Sequence, residues 1–327
     1  LLGCLGLGAC DYRSAQHALE SGNRAEAIDT WRSLSMLGDL DSSLAIASLG
    51  LQAQATAEEL AEAEKLARYV ARVGEAWQRP TALYILGEIE AKRGDMPTAA
   101  GHFAEASDLG VPWAHYRLAQ LYIKGQGVRA DPRRARHLLV AAVDGGVTEA
   151  AGSLGDLYAQ GNGAARDPAE ALRWYERAAA DGDGWALMRL GDIYRKGELV
   201  AADPARAAGF YGRAAAAGIA DAEVALGDLY ARGEGVPKDP AQAVAHFRRA
   251  ADAGNGWAAL RLAEAHRKGE GVPADPAAAA ELYRKAMAQQ VPTASRGLGD
   301  LYAHGSGVER DLPRAAQLYL AGAEQGD

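Results

Sequence analysis

The sequence predicts an all-α fold, a right-handed α-solenoid superhelix of stacked helix-turn-helix units, on three observations. Asp131, Asp167, Asp203, Asp239, Asp275 and Asp311 each stand 36 residues from the next, and tyrosines and glycines around them keep the same ladder. Units of that length bury their apolar faces only against neighbouring units, so the core is a seam between repeats. Composition agrees: 49% of residues are hydrophobic, yet there are only three Phe, and no segment alternates Val, Ile or Thr as a half-buried strand would. Small residues suit closely packed helices. The third observation is the punctuation within each unit.

Residues 185–218, WALMRLGDIYRKGELVAADPARAAGFYGRAAAAG, show that punctuation. Ala186, Leu190, Ile193 and Tyr194 recur at helical spacing and define a first helix, with Gly191 leaving room for a neighbouring helix to approach. Gly197 ends it, as a residue able to take positive φ. Asp203 then caps a second helix by accepting from free backbone N–H groups, and Pro204 occupies the first helical position, where no donor is needed. Ala207, Phe210, Tyr211 and Ala214 pack back on the first helix, and Gly218 closes the unit.

Along the chain the reading divides into residues 1–10, 11–110 and 111–327, the last two continuous as one solenoid. The opening LLGCLGLGAC is apolar and uncharged, then gives way to DYRSAQ. It reads as the end of a secretory signal and is too short to span a bilayer. Leu7-Gly8-Ala9-Cys10 resembles a bacterial lipobox, which implies cleavage before Cys10 and lipidation of that residue; the bland alternative is a stray hydrophobic terminus. A lipid anchor of several acyl chains would hold the protein at a membrane. The lipoprotein resemblance implies the bacterial periplasm, with the outer membrane favoured; Asp11, following the lipidated residue, points toward retention at the inner membrane. Cys4 is the only other cysteine, so nothing after residue 10 can form a disulfide or a cysteine metal site.

The remaining units repeat the same grammar: LAQLYIKGQGVRADP from Leu118, LGDLYARGEGVPKDP from Leu226 and LGDLYAHGSGVERDL from Leu298. These segments resemble the Sel-like repeat, a relative of the tetratricopeptide repeat, over six repeats from about Val111 to the end. Earlier, SGNRAEAIDTW at Ser21 and RGDMPTAAGHF at Arg93 resemble ordinary tetratricopeptide units with a loop four residues shorter. Residues 39–75 read as intervening helices. The C-terminus falls just after a second helix with no polar cap, which is expected either of a native chain that continues past Asp327 or of an end that docks on another surface.

What the repeats share is structural, so recognition is sought in what alternates. Trp113, Trp185 and Trp257 lie 72 residues apart, whereas the units between carry Glu149, Asp221 and Thr293. Arg117, Arg189 and Arg261 follow each Trp by four residues, and Lys124, Lys196 and Lys268 follow each Arg by seven. With Gln120, Asp192 or Glu264 between them, these positions trace one stripe along the first helix, away from the Leu/Tyr face. In tetratricopeptide proteins the matching positions line a concave groove that holds a partner, and the resemblance implies the same here. Indoles flanked by Arg and Lys suit an extended anionic chain, a uronate polysaccharide or an acidic peptide. The competing reading is packing of each Trp on the preceding turn, with Arg held in a solvated ion pair three residues before an acid; duplication of a two-repeat unit would also produce the alternation.

Other chemistry finds no support in the sequence. A formal charge of −8 disfavours a basic grip on nucleic acid. His17, His102, His115, His137, His246, His266 and His304 are scattered without HExxH or ligand spacing, and His266 stands in a repeat tyrosine position. Loops such as Gly233-Glu234-Gly235 follow helices instead of strands, unlike phosphate-binding loops. No catalytic site, metal or cofactor is expected. Ala18-Leu19, Gly22, Ala27, Trp31 and Leu37-Gly38, behind the lipobox, resemble the start of alginate-export lipoproteins. That resemblance implies a non-enzymatic scaffold for periplasmic or outer-membrane proteins of an exopolysaccharide secretion complex; the alternative is a general periplasmic adaptor.

Overall fold

A computed structural model describes residues 4–324, with side chains from Asp11 onward. The chain forms two compact units, Leu1–Asp167 and Pro168–Asp327. All regular structure among the described residues is helical. The first unit holds α1 (Cys4–Glu20), α2 (Arg24–Met36), α3 (Leu40–Leu49), α4 (Ala57–Val73), α5 (Arg79–Arg93), α6 (Met96–Asp108), α7 (Pro112–Lys124), α8 (Pro132–Asp144) and α9 (Glu149–Gln160). The second holds α10 (Pro168–Ala180), α11 (Gly184–Lys196), α12 (Pro204–Ala216), α13 (Ala220–Arg232), α14 (Pro240–Asp252), α15 (Gly256–Lys268), α16 (Pro276–Ala288), α17 (Thr293–His304) and α18 (Leu312–Glu324). Within each unit every helix packs on the next, so each is a row of helical hairpins. None of the described helices is long and apolar enough to cross a membrane. The side chain of Cys10, expected to carry lipid, lies outside the described residues.

Five members of the aspartate ladder are each seen to do two jobs in their loops. In α14, the Asp239 carboxylate accepts from Ala241 and Gln242 backbone N–H groups, at 3.0 and 3.1 Å, capping the helix start. Its own backbone N–H donates to the Tyr230 carbonyl at 2.9 Å, tying the loop back to the first helix. Asp131, Asp203, Asp275 and Asp311 repeat both contacts. A single side chain thus fixes where the second helix starts and how it leaves the first.

The hairpins close over small residues. Gly191 in α11 lies against the Tyr211 ring so tightly that a Cβ there would collide with it, and Gly227 stands in the same relation to Phe247, as Gly299 does to Tyr319. The expected close approach is therefore made by an aromatic of the same repeat's second helix. Between hairpins the core is mostly aliphatic around one aromatic ring: Ala259, Ala263, Val291, Leu298 and Leu301 form one buried cluster with Tyr283 in the second unit. In the first unit, Trp31 closes a cluster with Ala27, Leu34 and Ile46.

One position breaks the pattern. Gly146, Gly182, Gly218 and Gly254 end second helices at φ between 87° and 89°, and Gln290 occupies that place at φ 58°. A side-chain-bearing residue is disfavoured there by about 1 kcal/mol. Gln290→Gly is expected to stabilise the second unit by roughly that amount, read as a higher urea midpoint with an unchanged slope; an unchanged or lower midpoint would contradict this.

Candidate functional site

Three successive first helices, α13, α15 and α17, line a cavity of about 760 Å³ in the second unit. Trp257, Arg261, Glu264 and Lys268, the third predicted stripe, all line it. Their placement follows from the helix: offsets of four, seven and eleven residues keep near one face of α15, while Leu262 and Ala263 between them turn into the core. Trp257 is 54% exposed, so the indole is available and does not fill a seam. The Asn255 side chain caps α15 by accepting from the Ala258 N–H at 3.0 Å and also donates to Asp221 of the preceding repeat at 2.7 Å. That double bond-pair fixes the start of the helix beside its neighbour.

The other stripes are also at the surface. Trp185 is 65% exposed and Trp113 43% exposed, the latter meeting Tyr116 edge-on at 5.9 Å. Lys124, Lys196 and Lys268 are exposed. Lys196 pairs with Glu198 at 3.4 Å and Lys268 with Glu264 at 3.6 Å.

The stripe arginines are each held in an ion pair. Arg261 pairs across the repeat boundary with Asp228 of α13 at 3.2 Å, and Arg117 pairs with Glu88 of α5 at 2.5 Å. Arg189 pairs with Glu198 in its own loop at 3.0 Å. For Arg261 the expected pairing with Glu264, three residues on, is replaced by one that ties consecutive repeats together; Arg117, which has Gln120 three residues on, makes a pair of the same kind.

The stripe acids also have structural work. Asp192 accepts from the Tyr211 hydroxyl at 2.6 Å, and Glu264 accepts from that of Tyr283. Asp300, in the repeat after, accepts from Tyr319 at 2.8 Å. Each tyrosine lies 19 residues beyond its acid, so the bond runs from first helix to second within one hairpin. Hydrogen bonds to a charged group contribute about 1.5–3 kcal/mol each. These acids hold the hairpin shut, a role the 19-residue offset carried in the sequence, and Glu264 and Asp300 also edge the groove.

Electrostatics of the groove follow from these pairings. Burial alone would raise the Glu264 carboxyl, but hydrogen bonds from Tyr283 and Arg267 outweigh it and hold the group below its ordinary range. Burial first, then the neighbouring Glu264 carboxylate, pushes the Tyr283 phenol up, so it remains a donor. A depressed folded-state value means Glu264 contributes stability that is present above the unfolded carboxyl range, about pH 4.3, and lost as pH falls through the folded value. Glu264→Gln is expected to flatten the loss of stability as pH falls below the unfolded carboxyl range, about pH 4.3, measured by urea unfolding at stepped pH; an acid limb as steep as that of the unsubstituted protein would contradict it.

Sequence reasoning missed the even-numbered repeats' share of the groove. Asp228, Arg232, Lys238, Arg296 and Asp300 line it beside Trp257. Alternation along the sequence does not mark them, because adjacent first helices lie side by side whichever unit carries the Trp. Among the described residues, no three His, Cys, Asp or Glu side chains are grouped to hold a metal ion. His266 is half-buried in its tyrosine position.

Helical hairpins repeated at a fixed step, with an open groove on their first helices, define the class of helical-repeat scaffold. A Sel1 repeat family profile matches residues 114–147, 148–183, 186–219, 220–255, 258–290 and 292–327. That is well over half of the chain, which belongs to the Sel1 repeat family. Among solved structures, c5321, a protective antigen present in uropathogenic Escherichia coli strains and displaying an SLR fold, is similar at 29% identity and TM-score 0.73, over 92% of this chain. This chain spans 64% of that protein's length. A Sel1 repeat protein from Oxalobacter formigenes is similar at 28% identity and TM-score 0.62, covering 73% of this chain and 96% of its own. A search of curated proteins found no match.

Proposed function

We propose that this Sel1 repeat protein is a non-enzymatic lipoprotein scaffold of a bacterial envelope, and that the groove centred on Trp257 docks an extended segment of a partner protein. The observation that carries the reading is the cavity lined by three consecutive first helices, with a solvent-exposed indole among paired charges. Exposed aromatics in a concave site with convergent polar groups are the usual anchors of a protein interface. Cys10 at the apolar-to-polar switch supports the lipid anchor, and the tetratricopeptide-like segment behind it supports a place in an exopolysaccharide-export or assembly complex of the periplasm. An acidic polysaccharide strand would meet the same indole and cations, so uronate oligomers form the comparison arm of the test.

Membranes of the native cell, solubilised in mild detergent, would be passed over immobilised wild-type protein and over Trp257→Ala/Lys268→Ala. Retention of an envelope protein by the wild type alone is the expected result, with release by excess partner peptide and none by uronate oligomers. Equal retention by both forms would remove the groove from the account, and release by uronates would move the ligand to polysaccharide. Palmitate labelling in a bacterial host, expected for the wild type and absent in Cys10→Ala, tests the anchor separately.

A further inference from the structure

The first unit carries a charged surface of its own, on the loop between α7 and α8 and the start of α8. Four of the eight residues 129–136 are arginines, Arg129, Arg133, Arg134 and Arg136, in a chain of formal charge −8. Among the described residues none of the four makes an ion pair, whereas Arg24, Arg32, Arg68, Arg93 and Arg117 of the same unit are all paired with carboxylates. The one acid in the run, Asp131, is engaged: its carboxylate accepts from the Arg134 backbone N–H at 3.0 Å. Arg129, Arg133 and Arg134 are exposed, and Arg136 is half-buried with its Nε lacking a hydrogen-bond acceptor. Like charges gathered this closely weigh against the fold until something neutralises them.

The cations stand on a built surface. Tyr122, Val128, Arg129, Ala130 and Asp131 line a cavity of about 590 Å³, and the Arg134 guanidinium lies over the Tyr122 ring at 4.9 Å, so two of the arginines flank one aromatic. Backbone contacts fix both ends of the segment. Gly127 lies against the Met96 carbonyl at the start of α6, and Gly163 of the following loop lies against the carbonyl of Pro132, which opens α8, each so closely that a Cβ on the glycine would collide. An anionic ligand therefore meets a backbone already in place, which lowers the ordering cost of binding. The last repeat has an equivalent cavity, about 830 Å³ around Tyr302, Val308 and Asp311, but Glu309 stands in the place of Arg129 and Pro313 in that of Arg133. The cavity recurs with the repeat, and the run of arginines does not.

We propose that Arg129, Arg133 and Arg134, with Tyr122 between them, form a second docking site, which takes a short acidic segment of a partner protein. Planar guanidinium groups receive carboxylates through paired hydrogen bonds, and the tyrosine ring holds one of them in position. The width of the patch selects the ligand. At positions 129, 133, 134 and 136 the next repeat carries Ala165, Ala169, Glu170 and Leu172, and at the last three the preceding unit carries Pro97, Thr98 and Ala100. No basic track continues along the chain for a nucleic acid or a long polyanion to follow, whereas a few carboxylates on one protein segment match a patch one repeat wide. The site stands on other helices than the Trp257 groove and does not rest on the docking role proposed for that groove.

The test titrates a hexaglutamate peptide into the full chain and follows the arginine Nε–H signals in the nitrogen-15 spectrum. Signals lost in Arg129→Lys and in Arg134→Lys identify those two residues, and both are expected to shift as the peptide binds. Affinity about fivefold lower in Arg129→Ala/Arg134→Ala, unchanged in Trp257→Ala, and falling in the wild type as salt is raised from about 50 to about 300 mM is the expected result. Both arginines are exposed, so the unfolding midpoint should hold; Arg129→Gln, which leaves the Tyr122 contact alone, serves if the double variant folds poorly. Equal affinity in the folded double variant, no binding by the wild type, or a loss confined to Trp257→Ala overturns the proposal. Tighter binding of a hexameric uronate or of phosphatidylglycerol vesicles than of hexaglutamate would also overturn it, by making the patch a polysaccharide or membrane contact, as would a dimer of this chain that hexaglutamate dissociates.

Discussion

Gly235→Ala is expected to destabilise the second unit by roughly 3 kcal/mol, the sum of a left-handed backbone cost and the cost of overpacking. Gly235 sits at φ 71°, and the place a Cβ would take is filled by the carbonyl group of Pro204, at the start of the preceding repeat's second helix. Two backbones meet there, so no side chain can swing aside. The loop would have to lift, drawing the Asp239 cap away from Tyr230 and exposing the seam between hairpins. Gly212→Ala is the natural comparison: that glycine is helical with nothing within 4 Å of its absent Cβ, and the change should be neutral or stabilising by up to about 1 kcal/mol. Urea unfolding of the two variants should separate in opposite directions. Equal midpoints would show that the loops do not clamp consecutive repeats.

Trp257→Ala is expected to weaken partner binding about 30-fold, the loss of about 2 kcal/mol typical of an interface anchor, while changing stability by no more than about 0.5 kcal/mol. The second half of that expectation follows from its exposure, because a half-exposed indole with a neighbouring cap intact contributes little to the seam. Titration of the captured partner against both forms, together with their unfolding curves, tests the two halves separately. A large fall in stability would mean that the indole is a packing residue, the competing reading of the alternation. Undiminished affinity would move the docking surface elsewhere.

The 36-residue aspartate ladder made the fold readable because one side chain both caps a helix and closes a loop, leaving little freedom at that position. Gly191 and Gly197 were readable for the same reason, each being required by a close approach or a left-handed turn. The placement of the Trp257 stripe followed from helix geometry alone. Its ion pairs did not, because the partner of Arg261 is Asp228, which stands on the first helix of the previous repeat. Local spacing pointed to Glu264, three residues on, and the structure gives that acid to Tyr283, Arg267 and Lys268. Contacts within one helix can be read from offsets of three and four; those between repeats need the step of the stack, and here an offset of 33 residues from Asp228 to Arg261 carried the information.

A photo-crosslinking amino acid placed at position 257 tests the docking surface most directly, with one at position 248 as its counterpart, since Arg248 is exposed on α14 outside the cavity lining. Irradiation of cells producing each form should yield a discrete adduct with an envelope protein from 257 and none from 248. The same adduct from both positions, or from 248 alone, would contradict the groove as the place where this scaffold meets its partner.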